Sequence, residues 1–535
     1  MKLNLFSRLL NTPKLPMILF VVYFISGLLI YKDYGVSYDE GTERHIGIMN
    51  IIHVARQVAP GMASKVIPPD LKNAPDMEHY RDRDHGALFA LPMVVLEKGL
   101  GIDDELGVYR LWHLSTFLIF ALSIIFLYKL LSERFQKQYI SLLGCFIYIF
   151  SPRFFAESFY NPKDLPLLSL FVIAGYLGFK ILKGANYKYA IGLGLVMGLA
   201  TALRIVGIFL PLIFGGALVL KHFFTQEKDL IQKLKMLAIM IVVYLLTFYI
   251  AFPYLWTDPI GHFIEVFENL SKYPLNAPVL FEGQYYIAPD LPRYYALIWI
   301  LITTPIPFLL LALVGVIATL KQWITEYNKP ITYINLFFLG LFVGPILSVV
   351  VLDSTLYDGW RHLYFTYAGF VYLATLGIVT LEDLLKTWFA DKPVVAGGFI
   401  GFNVLVVLYL IVWIVKNHPY QNVYFNVLAG NHVDKKFEMD YWGTSYKQAL
   451  DYLKAYSQKG AKVKINGNIC AFYNVGKNEK DALKFVSDIN QADYFITEYR
   501  HFNFNPDFSA YQVPSKEVFN VEVDGNKVIS IYRLK

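Results

Sequence analysis

Asp39 and Glu40 stand side by side in GVSYDEGTERHIG, residues 35–47, just after the apolar run LPMILFVVYFISGLLIY. A carboxylate in a dry cleft can take the proton of a hydroxyl as its oxygen attacks carbon, which is general-base work. The plainer reading is a helix end at a water interface, because acids are functional by default only inside a membrane. Glu43, Arg44 and His45 read as the polar side of the helix that starts there. A second group lies in FSPRFFAESFYNPKDLPLLSL, residues 150–170, where Arg153, Glu157, Asn161, Lys163 and Asp164 are set among Pro152, Pro162 and Pro166. It reads as a shaped loop or an ordinary connection, with Asp164 at the mouth of the next apolar run. His85, in YRDRDHGALFALP (80–92), precedes an apolar helix whose N-terminus, with a cation beside it, suits an anion. A metal site is the weaker alternative, for one His among scattered acids is a poor ligand set. Arg204, and Arg361 with His362 in YDGWRHLYF (357–365), add guanidinium forks that match phosphate oxygens. Snorkelling at an interface is the bland alternative for any one of them.

The elements that must position these residues are membrane helices. The 535 residues are 56% hydrophobic and only 17% charged, against about 25% charged in soluble domains. Apolar runs near the ~20 residues a bilayer needs fall at 15–31, 108–130, 139–156, 165–182, 188–203, 205–221, 235–252, 293–317, 331–352, 362–381 and 393–415. That is about eleven spans. The stretch 188–221 is too long for one, and splitting it puts Arg204 at the turn. The N-terminus carries Lys2, Arg8 and Lys14 and no cleavage site follows the first run, so that run reads as an uncleaved span starting in the cytoplasm. Lysines and arginines then fall on the cytoplasmic side, among them Lys129, Arg134, Lys180, Lys228 and Lys386. The net charge of +6 therefore points to this bias and not to nucleic acid. Cys145 and Cys470 lie too far apart in kind and place for a disulfide or a thiolate metal site.

Topology gathers the acids, the histidines and Arg204 and Arg361 on the extracytoplasmic face, drawn from five separate loops. The first outer loop, 32–107, is long and holds two helices lying in the membrane plane, near 45–58 and 86–99. The tail changes character: SYKQALDYLKAYSQKG reads as a helix, AKVKING as a strand and EVFNVEVDGNKVISIYRL as a hairpin turning at Asp524-Gly525. The expected organisation is an all-α polytopic membrane domain, 1–415, followed by a small extracytoplasmic α+β domain, 416–535.

These motifs resemble, in order and on one face, those of the GT-C superfamily of polyprenyl-phosphate-sugar-dependent glycosyltransferases. The chain is similar to the protein O-mannosyltransferases and to the bacterial lipid A aminoarabinose transferase. YDEGTERHIG resembles the family's acidic signature after the first span, which implies Asp39 as catalytic base with Glu40 beside it. NPKDLPL resembles the site of the family's second acid, which implies Asp164. DHGALF stands in place of a His/Lys-Pro-Pro-Leu motif; His85 matches and both prolines are missing. TALRIVG and WRHLYFTY resemble two cationic motifs, which implies Arg204 and Arg361 at the lipid phosphate, with His362 replacing a Tyr. HPYQNVYFN and MDYWGTSYKQAL also resemble a C-terminal segment of bacterial members.

The resemblance implies transfer of a sugar from a polyprenyl-phosphate donor to a hydroxyl of a lipid, glycan or protein, with inversion, in the bacterial inner membrane. No cofactor is required by this reading, although Asp39 and Asp164 could hold a divalent cation. The rival readings are a multi-span lipid or solute transporter, which midplane charges and inverted repeats would favour, and a glycan-assembly partner without catalysis.

Overall fold

The computed structural model describes residues 12–61, 71, 73–184, 186–225, 230–271, 276–467, 469–479, 481–500 and 516–534. Lys2, Arg8 and Lys228 lie outside the described residues.

The chain opens with α1 (Leu15–Ile30), α2 (Tyr38–Val58) and α3 (Ala90–Gly99). Then follow α4 (Glu105–Phe135), α5 (Gln138–Ile149), α6 (Pro152–Tyr160), α7 (Asp164–Lys183), α8 (Tyr187–Leu203), α9 (Phe209–Thr225), α10 (Leu230–Ala251) and α11 (Pro259–Ser271). After a short hairpin, β1 (Pro278–Phe281) and β2 (Gln284–Ile287), come α12 (Tyr295–Thr303), α13 (Ile306–Thr325), α14 (Pro330–Leu352), α15 (Tyr367–Trp388) and α16 (Val394–Lys416).

Among the described residues, eight helices are long and apolar enough to cross a membrane: α4, α7, α9 with its lead-in from Ile205, α10, α13, α14, α15 with its lead-in from Arg361, and α16. The pair α5–α6 passes as a ninth, bent by 63°. Pro152 begins α6 and cannot continue the helix before it, so the bend falls at Phe150-Ser151. The shorter apolar helices α1 and α8 occupy the remaining expected spans. The protein is an integral membrane protein.

Two expectations change. The run at 293–317 is not one span but α12 and α13, broken at Thr304. Pro305 removes a backbone donor and pushes the residue before it out of the helical region. Asn426 reaches back from beyond α16 to cover the exposed carbonyls, its amide donating to Leu301 O at 2.6 Å and Thr304 O at 2.7 Å. The first surface helix starts at Tyr38, earlier than 45, because Ser37 and Glu40 form a capping box. The split at Arg204 is as expected: α8 ends at Leu203 and a 3₁₀ turn, Ile205–Ile208, leads into α9.

Residues 421–442 fold back over one end of the bundle, where Val423, Tyr424, Phe437, Met439, Tyr441 and Trp442 join the large apolar core of the helices. A separate core follows, formed by α17 (Tyr446–Tyr456) against a five-stranded sheet. Its strands are β3 (Ala461–Ile465), β4 (Leu483–Phe485), β5 (Tyr494–Thr497), β6 (Lys516–Val523) and β7 (Asn526–Arg533), in the order β4-β3-β5-β7-β6. β3 runs parallel to β4 and β5, and β6–β7 is the expected hairpin, turning where Asp524 and Gly525 both have positive φ. An apolar groove of about 810 Å³ runs between α1, α4, α5 and α16, lined by Phe20, Ile125, Phe146 and Ile411 among others.

Helices α13 and α15 touch backbone to backbone: a Cβ on Gly315 would meet the carbonyl of Leu373, and one on Gly377 that of Leu311. Small residues permit such approach in a bilayer, where packing replaces the hydrophobic drive. Gly377→Ala should destabilise the solubilised protein by about 1–3 kcal/mol through overpacking, read as a lower thermal midpoint. Gly401→Ala, where a Cβ meets nothing within 4 Å, is the control and should leave the midpoint in place.

Candidate active site

The capping box decides what the two adjacent acids do. Glu40 is the third residue of α2, and its Oε2 accepts the Ser37 backbone N–H at 2.7 Å. Its other oxygen lies 3.1 Å from His113 Nε2, and the side chain is buried. Successive helical residues point about 100° apart, since a turn takes 3.6 residues. Asp39 therefore faces elsewhere, and its side chain is 32% exposed. Of the pair, only Asp39 is open to a reactant.

Asp39 faces Arg361. Arg361 Nη1 donates to Asp39 Oδ2 at 2.6 Å and lies 3.9 Å from Asp164 Oδ2, while Nη2 pairs with Asp358 Oδ2 at 2.9 Å. The guanidinium also lies over the rings of Tyr357 and Trp442. Its Nε is buried with no hydrogen-bond partner. Burial works to raise the Asp39 carboxyl. The charge and hydrogen bond of Arg361, with the charges of Lys163 and Arg204, outweigh that and hold its pKa below the ordinary 3.8.

Asp164 sits behind, almost fully buried, as the first residue of α7. Its backbone N–H donates to Asn161 Oδ1 at 2.9 Å, the Asn161 amide donates back to its carboxylate at 3.1 Å, and Arg204 Nη1 bonds its other oxygen. The same Asn161 amide reaches Glu157 Oε2 at 2.9 Å, and Tyr364 donates to Glu157 Oε1 at 2.8 Å. Asp39, Asp164, Arg204 and Arg361 are thus brought into one alternating cluster by α2, the α6–α7 corner, the α8–α9 break and the start of α15. Arg361 Nη1 occupies the space between the carboxylates of Asp39 and Asp164, where an ion held by both would sit. Among the described residues no group of three or more His, Cys, Asp or Glu is arranged to hold a metal. With Arg361 between them, Asp39 and Asp164 fit a shared cation poorly.

His85 and His362 lie at the margin. His85 Nδ1 is 2.8 Å from Asp84 Oδ1. Gly86 brings this turn to the Arg204 break, since a Cβ there would collide with the carbonyls of Ala202 and Leu203. His362 stacks edge-on against Tyr357 at 4.6 Å, its Nδ1 buried without a hydrogen-bond partner. Glu43, expected on a solvated face, is buried and takes Lys163 Nζ at 2.6 Å, and Arg44 donates to the buried Glu97 at 2.8 Å. The helix therefore buries a charged stripe against the α6–α7 corner and α3.

Three groups here escaped sequence reasoning. Asp358 opens a left-handed Asp-Gly pair, φ 55° and 69°, three residues before Arg361; that turn signal was legible. Arg500, one of two arginines in the tail, bonds the second oxygen of Asp358, donates to Tyr441 O at 2.8 Å and approaches Glu438 Oε1 at 3.3 Å. Trp442 packs on Arg361, and its carbonyl accepts the Tyr38 N–H at 3.0 Å.

The buried pair of Glu43 and Lys163 should behave as a unit. Lys163→Met leaves a buried carboxylate uncompensated and should cost about 3–5 kcal/mol. Adding Glu43→Gln should recover most of that loss in thermal unfolding; additive losses would refute the coupling.

The model of the dolichyl-phosphate-mannose-protein mannosyltransferase family matches residues 110–253. No curated protein matches the chain at a significant level. Among solved structures, ArnT from Cupriavidus metallidurans bound to undecaprenyl phosphate is similar, with 13% identity over 97% of this chain and 98% of that one, at a TM-score of 0.46. The Archaeoglobus fulgidus oligosaccharyltransferase tethered with an acceptor peptide shares 11% identity over 90% of this chain and 69% of that one, at 0.47. The same organism's AglB, in complex with an inhibitory peptide and a dolichol-phosphate, shares 10% over 96% and 74%, at 0.45. The family-matched segment contains Asp164 and Arg204, two of the residues on which the resemblance to the GT-C glycosyltransferases rests.

Proposed function

We propose that the protein moves a sugar from a polyprenyl-phosphate donor to an acceptor hydroxyl of a lipid, glycan or protein on the extracytoplasmic face, with Asp39 as general base. The observation that carries this reading is one guanidinium, Arg361, set between an open carboxylate and a buried one, with Arg204 on the far side. The matching family is described by a dolichyl-phosphate-linked mannose donor, which supports the donor class.

The donor phosphate binds at Arg204 and Arg361, with His85 and His362 flanking. The acceptor oxygen attacks the anomeric carbon opposite the phosphate, the carbon–oxygen bond to phosphate breaks, and polyprenyl phosphate leaves with the bonding pair. The acceptor proton passes to Asp39, and the anomeric centre inverts. Fixed positive groups stabilise the leaving phosphate at low cost in reorganisation. Asp164 orients both guanidiniums and stays out of reach of the acceptor; Glu40 holds the helix turn that presents Asp39. A phosphate competing for Arg361 loosens its hold on Asp39. The carboxylate then becomes a stronger base as donor arrives, since catalytic bases work best with pKa near the operating pH.

Asp39→Asn should lower transfer by about 10²–10⁴-fold while the protein stays folded, measured with purified enzyme and a polyprenyl-phosphate sugar; unchanged transfer overturns the base assignment. The sign of the pH dependence follows from the depressed pKa of Asp39. In the free enzyme kcat/KM should lose activity to Asp39 protonation only below the ordinary 3.8. In Arg361→Gln the carboxyl is released upward, so the acid limb should move to higher pH, whatever the loss in rate. A limb that does not move would separate Arg361 from Asp39.

A further inference from the structure

A second pocket, of about 310 Å³, is lined in part by Arg500, whose guanidinium also bonds Asp358. Four separate pieces of chain build it: the β1–β2 hairpin, residues 434–439, residues 498–500 and the start of β7. The hairpin is tied in place. Phe281 pairs with Phe437, the Gly283 N–H donates to Lys436 O at 3.1 Å, and Asn526 Oδ1 accepts the Val433 N–H at 2.9 Å. Such a volume is at the lower end of ligand clefts, about 300–1,000 Å³.

The lining selects a chemistry. Glu438 is 5% exposed; its Oε1 takes Arg500, and its Oε2 is buried with no hydrogen-bond partner among the described residues. An orphan buried carboxylate oxygen costs free energy until a donor reaches it. Glu498 also lines the pocket and is 3% exposed. Burial pushes the carboxyls of Glu438 and Glu498 up, against the charge of Arg500, which holds both down. Arg500 and Lys527 line the same space. A phosphate would meet carboxyl groups, and a free cation would meet a guanidinium and an ammonium. Arg500 already serves Glu438, Tyr441 and Asp358, and Lys527 serves Glu517, so what the lining leaves to be met is the second oxygen of Glu438, in a pocket that also holds Tyr285 and Tyr499; a neutral ligand rich in hydroxyl donors suits it.

We propose that this pocket is a saccharide subsite, sized for one pyranose unit, that the C-terminal domain adds to the catalytic end of the molecule. As the acceptor side of transfer it rests on the glycosyltransferase reading; as a binding site it does not. Arg500 joins the two places, holding Glu438 in one and Asp358, hence Arg361, in the other.

The test is saturation-transfer NMR on the full chain in a sugar-free detergent, with the methyl pyranosides of mannose, glucose, galactose and N-acetylglucosamine as probes. At least one should give a signal in the wild type and in Asp39→Asn. That signal should fall at least fivefold in Glu438→Gln and in Tyr285→Ala, with thermal midpoints kept as the check on folding. No pyranoside signal in the wild type, a signal indifferent to both substitutions, or displacement by millimolar magnesium or inorganic phosphate overturns the proposal. The two readings fail separately. Donor hydrolysis without pyranoside binding removes the subsite alone, and binding without transfer or hydrolysis removes the catalytic assignment alone.

Discussion

The whole charged end of this molecule depends on the burial of one guanidinium. Arg361 is almost inaccessible to water and must be neutralised where it lies. Asp39, Asp164 and Asp358 do so from three different parts of the chain. Each of those carboxylates is itself too many for one cation. Arg204 therefore covers Asp164 from behind, and Arg500 covers Asp358 from the tail. The result is a chain of alternating charges in which only Asp39 retains substantial exposure.

Such a chain needs backbone that is not in the middle of a helix. In a bilayer, regular helices satisfy their own polar groups, and breaks are tolerated where protein surrounds them. Here the breaks carry the charged cluster. Asp164 starts α7 after the Asn161-Pro162 corner, Arg204 sits between α8 and α9, Arg361 stands at the head of α15, and Asp39 lies in the first turn of α2. Removing one partner of a buried pair is costly, while a fully paired network adds little net stability over apolar packing.

The tail belongs to this network. Residues 421–442 pack into the core of the bundle, Trp442 lies over Arg361, and Arg500 comes from beyond β5 to close the chain of charges. The sheet is thus anchored through the same charged groups, with Arg500 one bond away from Asp358 and two from Arg361.

Much was legible in the sequence because the bilayer imposes a coarse rule. A run of apolar residues near twenty long has one cheap conformation, and charges interrupting such runs must lie at their ends. That determined the helical segments, the break at Arg204, the α+β tail with its Asp-Gly hairpin, and the candidacy of Asp39, Asp164, Arg204 and Arg361. The tertiary structure decided the rest. It separated Glu40 from Asp39 through a capping box that Ser37-x-x-Glu40 already spelled out, and it broke 293–317 at Pro305. It turned Glu43 inward to Lys163, and it brought Asp358, Arg500 and Glu438 to Arg361's side. These last pairings depend on which buried charge meets which. Pairing of that kind is set by packing between segments hundreds of residues apart, and nothing in local spacing records it.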